Sequence, residues 1–503
     1  MRVRLLHPDR DVAVGDPLPE RLEDLATDLS LDAVVDAMAA DDDHVRRVAR
    51  WVLLAGADDP AVVAHRQAVA ADALADPDAF AAMYRVATEA LEGRRRLFFG
   101  RFGSSPETVL MQARRLLDLL VDALRRLRRV AESHRGRLSS AGMVRLCDSL
   151  AEELDDAYLD VLEGHLEELK LEEGVLLSAG LGRGNASRDH VLHRPPRRGW
   201  LTRLLERESG GLSFVIPERD ETAARSLAQL RERGLNDVAN ILAQSSDHIL
   251  DFFEVLRDEL AFYVGAQRLH RALAQREVAQ CWPELTEDPD ALAADDLVDA
   301  ALALRVPEAV GNDVDARGRR LLMVTGANQG GKSTFLRSVG LAQVMAQAGL
   351  PVAATRLRAS FAPRVLTHHT REEDAEMESG KLDEELRRLS ALVDAAEPGD
   401  LVLCNESLSS TNEREGSEIA RQVTTALLDA GVRVVYVTHL YELARSFVDE
   451  PERALLLRAQ RGEHGQRPYR LVEGEPLPTS FGADTYRAVF GAELEAEADA
   501  GRR

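Results

Sequence analysis

The sequence predicts a mainly α-helical N-terminal region followed by an α/β domain, and three observations carry that reading. Through about residue 275, apolar residues recur at spacings of three and four, the period of a helix with one buried face. From Cys281-Trp282-Pro283 onward, short apolar runs alternate with turns, as in α/β architecture. Within that second part, Leu321–Arg337 (LLMVTGANQGGKSTFLR) reads as a buried strand, a glycine-rich loop and a helix.

The chain has 503 residues, a length that suits about three domains. It is 45% hydrophobic, 5% aromatic and 30% charged, a globular composition with a helical bias. No apolar run is long enough to span a bilayer, and MRVRLLHPDRDVAVGD lacks the apolar core of a secretory signal, so no membrane association is expected. Cys147, Cys281 and Cys404 are widely separated and form neither a metal pattern nor a disulfide framework, which suits a reducing cytoplasm. The net charge of −23, taken alone, argues against a nucleic-acid binder. The arginines nevertheless cluster at Arg94–Arg96, at Arg125, Arg126, Arg128 and Arg129, and at Arg194, Arg197 and Arg198. These are either local basic islands or solvated helix faces.

Residues 1–92 read as helical after an irregular start. Leu22, Leu25 and Leu29 form one stripe, and Val45, Val48, Trp51 and Val52 another. Asp59-Pro60 ends that pattern and starts the next helix with proline at its first position. Residues 93–280 contain long amphipathic helices suited to a lever. The first opens at Ser105-Pro106-Glu107, a cap residue, a proline at the first helical position and an acid in the first turn. The spacing of Leu146, Leu150, Leu154, Tyr158 and Leu162 predicts a second helix from about Ser140 to Glu173. Residues 181–217, rich in Gly, Pro, Arg and His, read as a loop or a small tip, with one possible strand at Leu212–Ile216. A basic tip of this kind suits phosphate contacts. Helix returns over 218–275, and the α/β domain occupies 281–503.

The chemistry concentrates in that last domain. Gly326, Gly331, Lys332 and Ser333 fit G-x-x-x-x-G-K-[ST] between a strand and a helix. In such a loop glycines let backbone N–H groups turn toward phosphate oxygens, and the helix N-terminus adds positive potential. The loop residues Gly326, Ala327, Asn328, Gln329, Gly330, Gly331, Lys332, Ser333 and Thr334 are therefore candidates for binding ATP. Lys332 is suited to the β/γ-phosphates and Ser333 to Mg²⁺. Downstream, Leu401–Ser407 (LVLCNES) reads as a strand ending in Asn405-Glu406. Glu406 is the candidate general base, and Asn405 and Glu406 join Ser333 as candidate metal-holding residues. Val432–Leu440 (VRVVYVTHL) reads as a second buried strand whose end presents His439, a candidate γ-phosphate sensor. Ser379-Gly380, before a helix, is either an ordinary cap or an element offered to a second subunit's nucleotide.

These motifs resemble the MutS family of DNA mismatch-repair ATPases. TGANQGGKST is similar to that family's TGPNMGGKST loop, YVTHLYEL to its THxxEL segment, and MAQAGLPVAA to the helix and turn that follow the loop. GNDVD (Gly311–Asp315) stands where the family has an Asn-Asp pair near the adenine, which makes Asn312 a further nucleotide-binding candidate. TSFGADTY (Thr479–Tyr486) resembles the opening of its C-terminal helix-turn-helix. The specific motifs span about 280–490, and the likeness extends more weakly over 35–275. The resemblance implies a mainly α core/lever region, with residues 1–92 as core and 93–280 as lever, its clamp-like tip at 181–217. It also implies an α/β P-loop NTPase domain of the ABC/MutS type and a homodimer. The implied activity is Mg²⁺-dependent ATP hydrolysis coupled to DNA binding in mismatch repair or a related process, with other repair proteins as possible partners.

The sequence departs from the family pattern at defined positions. Asn405 stands where the family has Asp, NESLSSTNEREG replaces the DE-(I/L)-GRGTST turn, and Leu382 stands where a subunit-crossing Ser is expected. With so little sequence before residue 35 and after the helix-turn-helix, neither an N-terminal mismatch-reading domain nor an appended nuclease domain is expected. The neutral Asn405 predicts weaker Mg²⁺ binding or slower turnover. The alternative reading is therefore a nucleotide-gated scaffolding or binding protein with weak ATPase activity and no mismatch recognition.

Overall fold

The computed structural model describes residues 1–15, 18–19, 21–57, 59–98, 105–172, 174–183, 187–194, 215–217, 220–370, 380–461 and 466–478. Helices α1 (Arg21–Asp28), α2 (Leu31–Ala39), α3 (Asp43–Ala55) and α4 (Pro60–Ala75) come first. They are followed by α5 (Pro77–Phe98), α6 (Pro106–His134), α7 (Ala141–Glu153) and α8 (Asp156–Glu168). Strands β1 (Leu176–Leu181) and β2 (Ser187–His193) precede the 54-residue helix α9 (Glu221–Ala274). The remainder alternates: β3 (Glu284–Thr286), β4 (Leu292–Leu297), α10 (Ala300–Ala303), β5 (Asn312–Asp315), β6 (Leu321–Thr325) and α11 (Lys332–Gln347). Then come β7 (Arg356–Ser360), β8 (Val365–His369), α12 (Lys381–Ala395), β9 (Leu401–Asn405) and α13 (Glu413–Asp429). The last are β10 (Arg433–Val437), α14 (Tyr441–Arg445), β11 (Ala454–Ala459) and β12 (Leu471–Glu473).

These elements divide into two compact units, Met1–Val3 with Asp78–Leu260 and Arg4–Pro77 with Ala261–Arg503. In the first unit α6 starts as its sequence predicts: Ser105 Oγ accepts from the Thr108 N–H, and Pro106 holds the first helical position. The helix predicted over Ser140–Glu173 is instead two helices. After Leu154, Asp155 turns extended and its carboxylate accepts from the Tyr158 N–H, capping α8. The four-residue stripe hid this break, and burial reveals it: Leu154 is buried, but beyond it Leu159 and Leu166 face inward while Tyr158 is 54% exposed. β1 and β2 pair as an antiparallel hairpin, and Gly234 of α9 leaves room for Leu177 of β1. Of the predicted strand at Leu212–Ile216, residues 215 and 216 are non-strand and the rest lies outside the described residues.

Three of the four arginines of the α6 cluster are paired with acids of their own unit. Arg125 pairs with Asp160 at 2.7 Å, Arg126 with Glu89 at 2.5 Å and Arg128 with Asp156 at 2.8 Å. Arg194 likewise meets Glu168 at 2.8 Å, while Arg197 and Arg198 lie outside the described residues.

In the second unit, six strands form a sheet in the order β12-β11-β6-β10-β9-β8. The neighbours β11, β6, β10, β9 and β8 run parallel, and β12 is antiparallel on β11. β6 and β10 are buried throughout, which explains their near-continuous apolar runs. On one face, Met323, Val402, Val434 and Tyr436 pack against Leu389 and Leu392 of α12 and Leu427 and Leu428 of α13. α11 is buried on almost every side and approaches β9 closely. A Cβ at Gly340 would lie 2.5 Å from Leu29 and 2.6 Å from Leu403. A second sheet, β3-β7-β4-β5, adjoins the loop before β6. The end of α9 is fixed to the N-terminal helices, where Tyr263 Oη donates to Leu5 O at 2.6 Å and Gln267 Nε2 to Ala73 O at 2.9 Å. No helix among the described residues is long and apolar enough to cross a membrane.

Candidate functional site

The carboxyl ends of the adjacent parallel strands β6, β10 and β9 converge on one place, and the loop after β6 is shaped by its glycines. Gly326 has φ +114, and a Cβ there would sit 2.9 Å from the Ala459 nitrogen on β11. A Cβ at Gly330 would sit 2.7 Å from the Ala459 Cβ, so the loop lies flat against β11 only because both positions lack side chains. The turn closes by a 3.1 Å bond from the Gly330 N–H to Ala327 O, with Gln329 at φ +59, and Arg467 donates to Asn328 O. Gly331, at φ +90, is the N-cap of α11 and provides no side-chain cap. The first-turn N–H groups at Lys332, Ser333 and Thr334 are thus free of a capping side chain, the arrangement that receives an anion at a helix N-terminus.

Five side chains predicted from separate motifs meet at this helix end. Lys332, 5% exposed, donates from Nζ to Gly326 O at 2.9 Å and lies 3.3 Å from Glu406 Oε1. Ser333 Oγ donates to Asn405 Oδ1 at 2.8 Å. Glu406 Oε2 accepts from the His439 backbone N–H at 3.0 Å and meets His439 Nδ1 at 2.7 Å. The Glu406 N–H itself donates to Val437 O at 2.8 Å, which ties the end of β9 to the end of β10. Glu406 has φ +55, a conformation rare for a side chain of this size and common where function fixes the backbone.

The electrostatics follow from these contacts. Burial raises the Glu406 carboxyl, but the His439 hydrogen bond and the Lys332 charge outweigh it, so the net shift is downward. The same hydrogen bond raises His439 against the opposing effect of its burial. At neutral pH Glu406 is a carboxylate held between two cation-forming groups. The oxygen donors gathered here are a hydroxyl, an amide and a carboxylate, all hard ligands of the kind Mg²⁺ takes. Among the described residues no group of three or more His, Cys, Asp and Glu could hold a metal on its own.

Beside the loop lies a cavity of about 500 Å³, walled by Leu302, Val306, Val310 and Tyr469 and reached by Gln329 and Thr334. Asn312 lines it, but its amide is committed to the backbone. Nδ2 donates to Tyr469 O at 3.2 Å, and Oδ1 accepts from the Leu471 N–H at 2.7 Å. Asn312 therefore fixes the segment that presents Tyr469. Tyr469 itself, half exposed and at φ +57, is a wall residue that sequence reasoning missed. It stands alone in a polar stretch, with no period or motif to mark it.

Gly380 is the N-cap of α12, with open space where a Cβ would be. Ser379 and the segment Thr479–Tyr486 lie outside the described residues.

With this geometry in hand, comparison with known proteins gives a consistent result. A family model described as the MutS2 N-terminal domain matches residues 58–276, and one described as MutS domain V matches residues 322–486. Endonuclease MutS2 of Thermus thermophilus is 30% identical over 281 residues, covering 54% of this chain and 36% of that protein. DNA mismatch repair protein MutS of Granulibacter bethesdensis is 32% identical over 170 residues, 33% of this chain and 18% of its own. Endonuclease MutS2 of Anaeromyxobacter sp. is 32% identical over 176 residues, 35% of this chain and 22% of its own. The matched part is thus about a third or less of each relative's length.

Proposed function

The chain belongs to the MutS family, and from that premise we propose that it binds ATP with Mg²⁺ at the loop Gly326–Thr334 and hydrolyses it. The nucleotide state is coupled to DNA binding in mismatch repair or a related repair or recombination process. The observation that carries this reading is the convergence of Lys332, Ser333, Asn405, Glu406 and His439 at the carboxyl ends of three adjacent parallel strands.

Each residue then has a role that its contacts support. The loop N–H groups and Lys332 hold the β/γ-phosphates, for which Lys332 exchanges its contact with Gly326 O. Ser333 and Asn405 are the neutral oxygen donors toward the metal, and Mg²⁺ supplies neutralisation of phosphate charge when bound. Glu406 orients and polarises the attacking water, and as a low-pKa carboxylate it is ionised and ready at neutral pH. His439 holds one Glu406 oxygen and, when protonated, brings positive charge to the γ-phosphate side. Ala327, Asn328, Gln329 and Gly330 shape the loop, and the Asn312–Tyr469 wall receives the base.

Measured turnover and ATP binding test this reading. Lys332→Ala should abolish tight ATP binding, and Glu406→Gln should retain binding while losing about 10²-fold or more in turnover. Parent-like turnover in either variant overturns the assignment. The neutral Ser333–Asn405 pair favours a second reading, a nucleotide-gated scaffold with weak hydrolysis. Parent protein that binds ATP tightly, yet turns over no faster than Glu406→Gln, would select that second reading. For the partner, salt-dependent binding to duplex, mismatched and branched DNA discriminates among substrates, because phosphate contacts give a slope and structure preference gives an offset. The homodimer with trans contacts from Ser379 and Gly380 is part of the same proposal.

A further inference from the structure

A buried polar network stands behind Glu406 and is not explained by nucleotide contact. Glu385, on α12, is 5% exposed. Its Oε1 accepts from the Leu408 N–H at 2.6 Å, and its Oε2 accepts from Ser410 Oγ. Thr370, just after β8, donates its single hydroxyl proton to Glu406 O at 2.6 Å, the shortest of its three hydroxyl contacts, the others being Glu385 Oε1 and Ser409 Oγ at 3.4 Å. The segment held between them is strained. Glu406 has φ +55 and Leu408 φ +63, two non-glycine residues in the left-handed region within three positions. α13 closes over the same turn, because a Cβ at Gly416 would sit 2.6 Å from Leu408 O. A buried carboxylate is costly unless its oxygens are satisfied, and here both are spent on one five-residue turn.

We propose that Glu385, together with Thr370, is a positioning residue: it holds the Glu406–Ser410 turn in its left-handed form and so aims the Glu406 carboxylate at His439 and Lys332. This rests on the reading of Glu406 as the residue that orients the attacking water. Neither Glu385 nor Thr370 hydrogen-bonds to the glycine loop, so their removal acts on the aim of Glu406 and leaves the loop's own N–H groups in place for phosphate. A displacement of the order of 1 Å in a reacting group costs about 10²-fold in rate.

Two readouts on the full chain test it. The first is turnover. Glu385→Ala and Thr370→Val should each lower kcat by about 10- to 100-fold with KM for ATP unchanged, and Thr370→Ser should restore the parent rate. The second needs no nucleotide. The His439 imidazole, identified by its loss in His439→Gln, is titrated by NMR. Its pKa is raised by Glu406, with Lys332 and Glu413 also facing it. Glu385→Ala and Thr370→Val should bring it down toward its ordinary value, and Thr370→Ser should leave it raised. A purely structural role would lower thermal stability and move neither readout. If Glu385→Ala does not fold, the Thr370 pair decides. Should Glu406→Gln abolish turnover while Thr370→Val and Glu385→Ala keep parent kcat and His439 pKa, the positioning role is overturned and Glu406 stands. Should Glu406→Gln turn over like the parent, the reading of Glu406 fails, and the positioning role with it.

Discussion

Ser333 Oγ donates a 2.8 Å hydrogen bond to Asn405 Oδ1, joining the first turn of α11 to the end of β9 through two neutral groups. An aspartate at 405 would keep the acceptor and add a negative charge where the metal is proposed to sit. Asn405→Asp should therefore lower the Mg²⁺ concentration at half-maximal turnover by about tenfold, equivalent to roughly 1.4 kcal/mol. Turnover measured across a Mg²⁺ series checks this. A midpoint identical to the parent's would place residue 405 out of reach of the metal.

The Glu406–His439 contact should also give stability a definite pH dependence. His439 is raised by its hydrogen bond to Glu406, so its contribution is complete below the ordinary imidazole value of 6.5 and fades as pH rises through the folded value. Glu406 is lowered on balance, its burial opposed by His439 and Lys332. Its contribution is complete above the ordinary 4.5 and fades as pH falls through the folded value. The pair is therefore worth most between pH 4.5 and 6.5. Thermal melts of parent and His439→Gln should differ most in that window and converge on either side. A constant difference from pH 3 to pH 9 would show that the contact carries no linked proton.

The glycine loop and the side chains that meet it were legible because each rests on a local rule. Gly326, Gly331, Lys332 and Ser333 stand at fixed spacing between a strand and a helix, and Asn405-Glu406 and Thr438-His439 end apolar runs. The Asp59-Pro60 and Ser105-Pro106 helix starts were legible for the same reason. What escaped depends on tertiary context. Asp155 breaks a leucine stripe whose spacing continues across the break, so periodicity alone cannot see it. Glu385 sits in an amphipathic helix rich in charge and reads as one more surface acid. Only the packing of α12 on the turn after β9 buries it. The Arg125–Arg128 cluster reads as a basic island because most of its acids, Glu89, Asp156 and Asp160 among them, are distant in sequence, and only Glu132 lies nearby.

The fit of the loop against β11 makes a sharp steric prediction. A Cβ at Gly330 would meet the Ala459 Cβ at 2.7 Å and Ala327 O at 2.9 Å. Gly330→Ala must push the loop away from β11, an overpacking cost of about 1–3 kcal/mol, and should weaken ATP binding with it. Adding Ala459→Gly removes the first clash and leaves the second, so the double variant should recover part of the stability. Melting temperature and nucleotide affinity follow both. Parent-like values in Gly330→Ala would mean that the loop does not pack as described.

The proposed dimer gives the last test. Lys332, Glu406 and His439 line one side of the proposed phosphate position, and Gly380 opens α12 with unfilled space at its Cβ. A second subunit presenting Ser379-Gly380 would complete the γ-phosphate side, and two-fold symmetry would then create two composite sites. ATP should tighten such a dimer, because it binds the closed arrangement better than the open one. Sedimentation with and without a slowly hydrolysed ATP analogue should show a shift toward dimer, greatest for Glu406→Gln. Specific turnover should rise with protein concentration in the same range. A monomer under both conditions, with turnover per chain independent of concentration, would mean that one chain carries the whole site.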